Sequence, residues 1–395
     1  FVSIDPLDGR IVALSGGFDF NRSKFNRATQ AKRQPGSSFK PFIYSAALEK
    51  GHTAASTIND APVVFNDDKF SDTVWRPVNS GGKSFGPTRL REALANSRNL
   101  VSIRLLAKIG INYTIEHVKR FGINTDKLPR DLSLSLGSGA LTPLELATGY
   151  TVLANGGFTV KPYFITRIES QNGEVIDAPL PDRVCPQCEQ ELRVVGSSEV
   201  QPTPGVAPRT LPSENAWLMY SMMRDVIRRG TATRALALKR EDLAGKTGTT
   251  NEGRDAWFSG FNGALVATAW VGFDRLQPLG ANEYGGKAAL PMWMYFMKDA
   301  LEGVPETPLK QPEGMVRVRI DAETGSLAQA GDSDAIYEMF RPAHAPDRTK
   351  QRTRGGSAVQ REAQEATEKI WYEAADPVSI RADNVRLNIA EEAAR

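Results

Sequence analysis

Three short stretches of the chain carry residue types that can perform acyl chemistry together: Ser37-Ser38-Phe39-Lys40, Ser97-Arg98-Asn99 and Lys246-Thr247-Gly248-Thr249. A serine hydroxyl is a weak nucleophile until a base takes its proton, and a lysine amine can do so when held neutral within hydrogen-bond reach. Residues three apart on a helix share a face, so a helical segment brings Ser37 and Lys40 together. Pro41 fixes where that helix starts, because a residue without N–H is harmless only in a first turn. The helix is therefore expected to begin near Ser37 and to run over residues 37 to 50. This places the Ser37 hydroxyl and N–H at the positive end of the helix dipole, which favours a developing oxyanion.

Each pattern needs its context, because the first two recur. Ser80-Gly-Gly-Lys83 repeats the first, but Gly81-Gly82 is a poor helix start. Ser170-Gln-Asn172 runs into Gly173 and reads as a surface turn, and Ser213 precedes a long amphipathic segment as its expected N-cap. Ser97-Arg98-Asn99 instead joins two helical segments, Leu90 to Ala95 and Leu100 to Lys108, so its polar side chains can project into a cleft. The Lys246 stretch ends a strand in which Lys246 and Gly248 share a face, and Gly248 leaves room for another backbone. An extended substrate can pair along such a strand, with Lys246, Thr247 and Thr249 offering a cation and two hydroxyls to a carboxylate. Taken alone, this third motif reads better as a plain edge strand protected by lysine.

The positioning elements follow from periodicity and punctuation. Residues 1 to 16 read as a β-hairpin, and Leu243 to Thr250, Asp255 to Phe261 and Leu265 to Phe273 as an antiparallel meander. Residues 86 to 157 are mostly helical, with a capping box at Thr142-Pro143-Leu144-Glu145. Asn215 to Gly230 and Met292 to Leu301 complete the helices, and Val316 to Gly325 reads as a hairpin. Residues 345 to 368 are charged and poor in apolar side chains, and are expected to be mobile or loosely packed.

In this order and context the three motifs resemble the signature set of the penicillin-binding protein and serine β-lactamase superfamily. Phe25-Asn-Arg-Ala-Thr-Gln-Ala, Gln34-Pro-Gly-Ser-Ser-Phe-Lys-Pro-Phe, Leu141-Thr-Pro-Leu-Glu-Leu-Ala, Asn155-Gly-Gly, Gly230-Thr-Ala and Asp255-Ala-Trp-Phe-Ser-Gly-Phe extend the likeness to class A penicillin-binding proteins. The resemblance implies an α+β transpeptidase fold over residues 1–310, with a five-stranded antiparallel sheet between helices plus a mostly helical subdomain. Residues 172–212 would form a proline-rich insertion or loop, and 311–395 a partly flexible C-terminal extension.

The same resemblance implies a D,D-transpeptidase that cross-links peptidoglycan and is acylated by β-lactams. Ser37 would be the nucleophile, Lys40 its general base and Ser97 a proton shuttle. Asn99 would bind the substrate backbone, and Lys246, Thr247, Gly248 and Thr249 the end that carries the carboxylate. The oxyanion hole maps to the N–H groups of Ser37 and Thr249. Stem peptides ending in D-Ala-D-Ala and β-lactam antibiotics are the implied partners, with no metal or other cofactor. A periplasmic location is implied too, with an inner-membrane anchor and a glycosyltransferase domain upstream of this chain. A D,D-carboxypeptidase or β-lactamase on the same scaffold, or a penicillin sensor that acylates once, stand as alternatives. The Glu-x-x-Leu-Asn segment expected of a class A β-lactamase is not found in the sequence.

Composition narrows the remaining classes. The 395 residues are 41% hydrophobic and 24% charged, and 49 Lys and Arg against 46 Asp and Glu give a net +3 that is scattered rather than striped. No nucleic-acid surface is indicated. No run of about 18 apolar residues occurs. Cys185 and Cys188 lack a second cysteine pair or nearby histidines for zinc, and read as a surface loop that a local disulfide would close in an oxidising compartment. His52, His117 and His344 are not placed as a triad requires and read as structural or surface residues. Trp75 and Tyr284 are candidate cleft aromatics for which a packing role is equally open.

Overall fold

The structure is a computed structural model that describes residues 1–66, 74–178, 180–188 and 205–346. The terminal hairpin and the meander join in one antiparallel five-stranded sheet, in the order Ile11–Leu14, Val2–Ile4, Val266–Gly272, Asp255–Phe261 and Ala244–Thr249. Asp255–Phe261 is buried along its whole length because both sheet faces are covered. On one face Ala256, Phe258, Ala267 and Ala269 pack with Trp293 and Met297 of the helix Leu290–Ala300. On the other, Trp257, Phe261 and Val266 join Phe42, Leu146, Tyr150 and Met219 in the main core.

The helix Lys40–Glu49 runs through that core, and Lys40 to Leu48 are all buried. Its sequence is apolar nearly all round, as a fully surrounded helix must be. Asn99–Ile109, Ile111–Lys119 and Ser213–Arg228 pack around it. The capping box forms as expected, with Thr142 Oγ1 accepting from Glu145 N and Glu145 Oε2 from Thr142 N.

Several boundaries differ from the sequence expectation. The Ser37 segment starts as a single 3-10 turn, Gly36–Phe39, and becomes α-helical only at Lys40. Three residues per turn eclipse positions i and i+3, so Ser37 and Lys40 lie more directly in line than an α-helix would set them. Ser213 is not an N-cap: it is the first helical residue, Pro212 holds the cap position, and no side-chain cap bond forms. Gly86–Arg89, expected within a helical stretch, pairs as a strand with Thr57–Asp60.

In the 172–212 segment, Val175–Asp177 pairs with Ile168–Glu169 across the turn expected at Ser170, while 189–204 lie outside the described residues. Val316–Asp321 does form a hairpin, with the distant strand Ala335–Phe340. Ile320 and Phe340 close over Ala55, and Arg91 binds both carboxylate oxygens of Glu338 at 2.7 Å. The hairpin is thereby fastened to the body of the fold. Of the stretch 345–368, residues from 347 onward lie outside the described residues.

Candidate active site

The turn carrying Ser37 is clamped onto the sheet edge. Trp257 Nε1 donates to Gln34 O at 2.8 Å, Arg33 Nε to Asp255 Oδ1 at 2.8 Å, and Tyr150 OH to Ser38 O at 2.7 Å. Two glycines permit the approach. Gly36 has φ 54°, and a Cβ there would stand 2.5 Å from Thr249 O; a Cβ on Gly248 would stand 2.3 Å from Pro35 O. The room that the sequence assigned to Gly248 is thus filled by the Ser37 turn itself.

Three motifs far apart in sequence converge on one hydroxyl. Lys40 Nζ lies 2.7 Å from Asn99 Oδ1, 2.9 Å from Ser97 O and 3.4 Å from Ser97 Oγ. Lys246 Nζ approaches the same Ser97 Oγ at 2.9 Å and Thr247 O at 3.1 Å. Ser97 therefore bridges two buried amines. Burial, and secondarily the neighbouring Lys246, push Lys40 well below the ordinary lysine pKa, opposed by the field of Asp60. Burial brings Lys246 down to about 7.

A neutral Lys40 has two N–H donors and one lone pair. Asn99 Oδ1 and Ser97 O are obligatory acceptors and take both donors. The lone pair is left for a hydroxyl. Ser37, half-buried, has no side-chain hydrogen-bond partner among the described residues.

Ser97 owes its place to an unusual backbone. Its φ is 57°, its N–H donates to Leu94 O, and the N–H of Arg98 reaches back to Ala93 O. Those two bonds define a Schellman ending of the helix Leu90–Ala95, with Ser97 at the position where glycine is favoured. The left-handed conformation costs a residue with a side chain about 1 to 2 kcal/mol. The turn aims the Ser97 hydroxyl between the lysines.

Lys246–Thr249 lies on the outermost strand of the sheet. Thr250 N donates to Asp255 O, so by two-residue alternation the N–H groups of Thr249 and Thr247 point away from the neighbouring strand. The N–H of Ser37, at the start of its 3-10 turn, is an orphan helix donor. Thr249 Oγ1 accepts from Gly285 N at 3.0 Å, which turns its own proton outward. Thr247 Oγ1 pairs with Thr231 Oγ1 at 2.7 Å.

The Asn99 side chain is more committed than expected. Besides holding Lys40 it donates from Nδ2 to Val78 O at 2.9 Å, which leaves one N–H for a ligand. Sequence reasoning missed Asp60 and Asn79, which lie directly behind Asn99, and the hydroxyl of Thr231. Thr231 sits in the quoted Gly230-Thr-Ala stretch, a signal that was present, whereas Asn79 looks like any turn residue. Trp75 packs partly buried against the main core, while half-exposed Tyr284 immediately precedes Gly285, whose N–H binds Thr249 Oγ1.

The histidine expectation can be checked at His117, which is buried against Ser45 Oγ at 2.9 Å, away from the lysines. Cys185 and Cys188 are joined in a disulfide.

The fold and this convergence define a class. The penicillin-binding protein transpeptidase domain family matches residues 1–292, and the chain belongs to that family. Its relatives are narrower still. It is 47% identical to penicillin-binding protein 1A of Pseudomonas aeruginosa over 373 residues, 87% of this chain and 45% of the relative. For penicillin-binding protein 1A of Vibrio cholerae the identity is 42% over 372 residues, 88% of this chain and 45% of the relative. The crystal structure of penicillin-binding protein 1A from Haemophilus influenzae superposes with a TM-score of 0.81 at 38% identity, covering 88% of this chain and 53% of that one. The PonA1 protein of Mycobacterium tuberculosis, solved in complex with penicillin V, gives a TM-score of 0.64 at 27% identity, covering 79% of this chain and 80% of that one. The chain spans about half the length of the curated relatives it matches. The expected fold class and the transpeptidase function both stand on these findings.

Proposed function

We propose that this transpeptidase domain works through a Ser37 acyl-enzyme on stem peptides ending in D-Ala-D-Ala. The observation that carries the proposal is the single Ser97 hydroxyl held between the buried amines of Lys40 and Lys246. Neutral Lys40 takes the Ser37 proton as Oγ attacks the penultimate D-Ala carbonyl carbon. The oxyanion is received by the N–H groups of Ser37 and Thr249, an interaction typically worth a few kcal/mol of barrier. Lys246 and the hydroxyls of Thr247 and Thr249, beside Gly248, bind the terminal carboxylate, and the remaining Asn99 N–H binds the substrate backbone. Collapse breaks the C–N bond, and the departing D-Ala nitrogen receives its proton through Ser97. An amine of a neighbouring stem then attacks the ester, forming the cross-link and returning Ser37 to its free state.

A β-lactam opens by the same first half-reaction, but its amine stays tethered to the acyl group. The Cys185–Cys188 disulfide supports an oxidising compartment, here the periplasm. The length of the relatives supports a full-length protein with an inner-membrane anchor and a glycosyltransferase domain outside this chain.

The test is labelling with a fluorescent penicillin, beside turnover of a D-Ala-D-Ala stem peptide with and without an amine acceptor. Wild type should label and yield the amide product, while Ser37→Ala should do neither. Label on Ser37→Ala would end the assignment. Release of D-Ala without amide product would make the domain a carboxypeptidase instead, and labelling without any product a sensor.

A further inference from the structure

Behind Asn99 lies a buried carboxylate for which none of the three motifs accounts. Asp60 closes the strand Thr57–Asp60 and is fully buried. Its two oxygens accept from one donor, Asn79 Nδ2, at 2.7 and 2.9 Å. Its nearest cation is Arg98, whose Nε is 4.0 Å away while the guanidinium lies over the Phe85 ring at 3.4 Å. A carboxylate so buried and so loosely paired is costly, and needs a reason to be there.

Asn79 supplies the link. Its orientation is forced, because Asp60 and Lys83 O can only accept and the N–H groups of Asn99 and Leu100 can only donate. Asn79 Oδ1 takes those two N–H groups at 2.7 and 3.2 Å and so caps the helix Asn99–Ile109 from twenty residues upstream. That helix has no cap from its own N-cap residue, Arg98. The chain of contacts runs from Asp60 through Asn79 to Asn99, and from Asn99 Oδ1 to Lys40 Nζ. The charged groups acting on Lys40 are Lys246 from the sheet edge and Asp60 from behind, and Asp60 also faces the Tyr44 phenol.

We propose that Asp60 and Asn79 are positioning residues of the transpeptidase site: Asn79 sets the Asn99 amide against Lys40, and Asp60 orients Asn79 while setting its negative charge behind the two buried amines. The pair keeps Lys40 basic enough to take a serine proton in a site that otherwise drives its amine to the neutral form. This inference rests on the Lys40 role given above.

The experiment measures the pH dependence of penicillin acylation and, independently of acylation, the titration of Lys40 by NMR of 13Cε-labelled lysine, assigned with Lys40→Met. Asp60→Asn keeps the shape and removes the charge. It should move the acid limb of acylation and the Lys40 titration to lower pH by about one unit, with about a tenfold lower plateau rate. The exchanged pair, Asp60→Asn with Asn79→Asp, restores both the charge and the cap, and should return the acid limb to within a few tenths of wild type. An unmoved Lys40 titration in folded Asp60→Asn, or no rescue by the exchange, overturns the proposal. Failure of the parent reading would show separately, as label on Ser37→Ala.

Discussion

The helix Lys40–Glu49 buries a polar cluster at each end, and the two are built on opposite terms. At its N-terminal end two amines share one hydroxyl, and among the described residues the carboxylate acting on Lys40 is Asp60, which does not touch it. Near its C-terminal end Ser45 Oγ lies 2.9 Å from both His117 Nε2 and Asn215 Oδ1. Asn215 Nδ2 donates to Ser45 O and to Glu49 Oε2, and Glu49 pairs with Arg341 at 3.0 Å. Opposite charges touch in this second cluster, whereas in the first the carboxylate stands off from the amines. A Ser–His contact would be the more familiar sign of catalysis, yet on the proposed function it is the structural one. On the proposed function, a carboxylate held off from buried amines beside a half-buried serine, and not the residue types alone, separates a site that reacts from one that holds the fold.

The sharpest way to break this contrast is Lys40→Met, which preserves bulk and removes the amine. Acylation by a fluorescent penicillin should fall about a thousandfold, within the range of lost general-base catalysis. Circular dichroism should show the fold retained. Labelling at the wild-type rate would move the base elsewhere and leave the two clusters functionally alike.

The structural cluster should answer to pH through stability. Asn215 gives its N–H groups to acceptors, so its Oδ1 takes the Ser45 proton and His117 must donate from Nε2. His117 Nδ1 is then buried without a partner. Burial, with Arg120 adding to it, lowers His117 from 6.5 to about 4. Between those values the unfolded chain binds a proton that the folded chain refuses. The contribution of His117 is thus complete above pH 6.5 and is lost as pH falls through 4, an effect of about 3 kcal/mol. His52 is also lowered to about 4 and adds the same sign. Denaturant melts from pH 7 to 4 should show this loss, and His117→Gln, which retains a donor for Ser45, should remove about half of it, His52 carrying the rest. A His117→Gln slope equal to wild type would place the acid sensitivity elsewhere.

The sequence revealed the two clusters unequally. Ser37, Lys40 and Pro41 are neighbours in the chain, so spacing alone places them, although an i, i+3 pair fits a 3-10 turn and an α-helix equally and the sequence expectation ran to the wrong one. The sheet was legible because its strands punctuate themselves with Asn251-Glu252-Gly253-Arg254 and Asn262-Gly263. Asp60 and Asn79 were not, since each is an ordinary turn-type residue whose partners lie about twenty residues or more away. The pairing of Val316–Asp321 with Ala335–Phe340 is hidden for the same reason. Ser213 was read as a cap from its type and place, but Pro212 already supplies the extended backbone that a cap position needs.

Ser97 lay between legible and hidden: its motif was visible, its backbone was not. Serine gives no sign of a left-handed residue, so the strain at φ 57° emerges only in three dimensions. Ser97→Gly divides the two contributions. Glycine fits the Schellman position, so the variant should be about 1 kcal/mol more stable than wild type in a thermal or denaturant melt. It also deletes the hydroxyl between Lys40 and Lys246, and acylation should fall about tenfold, with a larger fall in the step that protonates the leaving nitrogen. A substitution within the structural cluster that removes a hydroxyl, such as Ser45→Ala, should do the reverse, lowering stability and leaving the acylation rate per folded molecule unchanged. If Ser97→Gly proved less stable than wild type, the left-handed serine would be no source of strain, and the trade between a strained turn and a placed hydroxyl would disappear from the comparison.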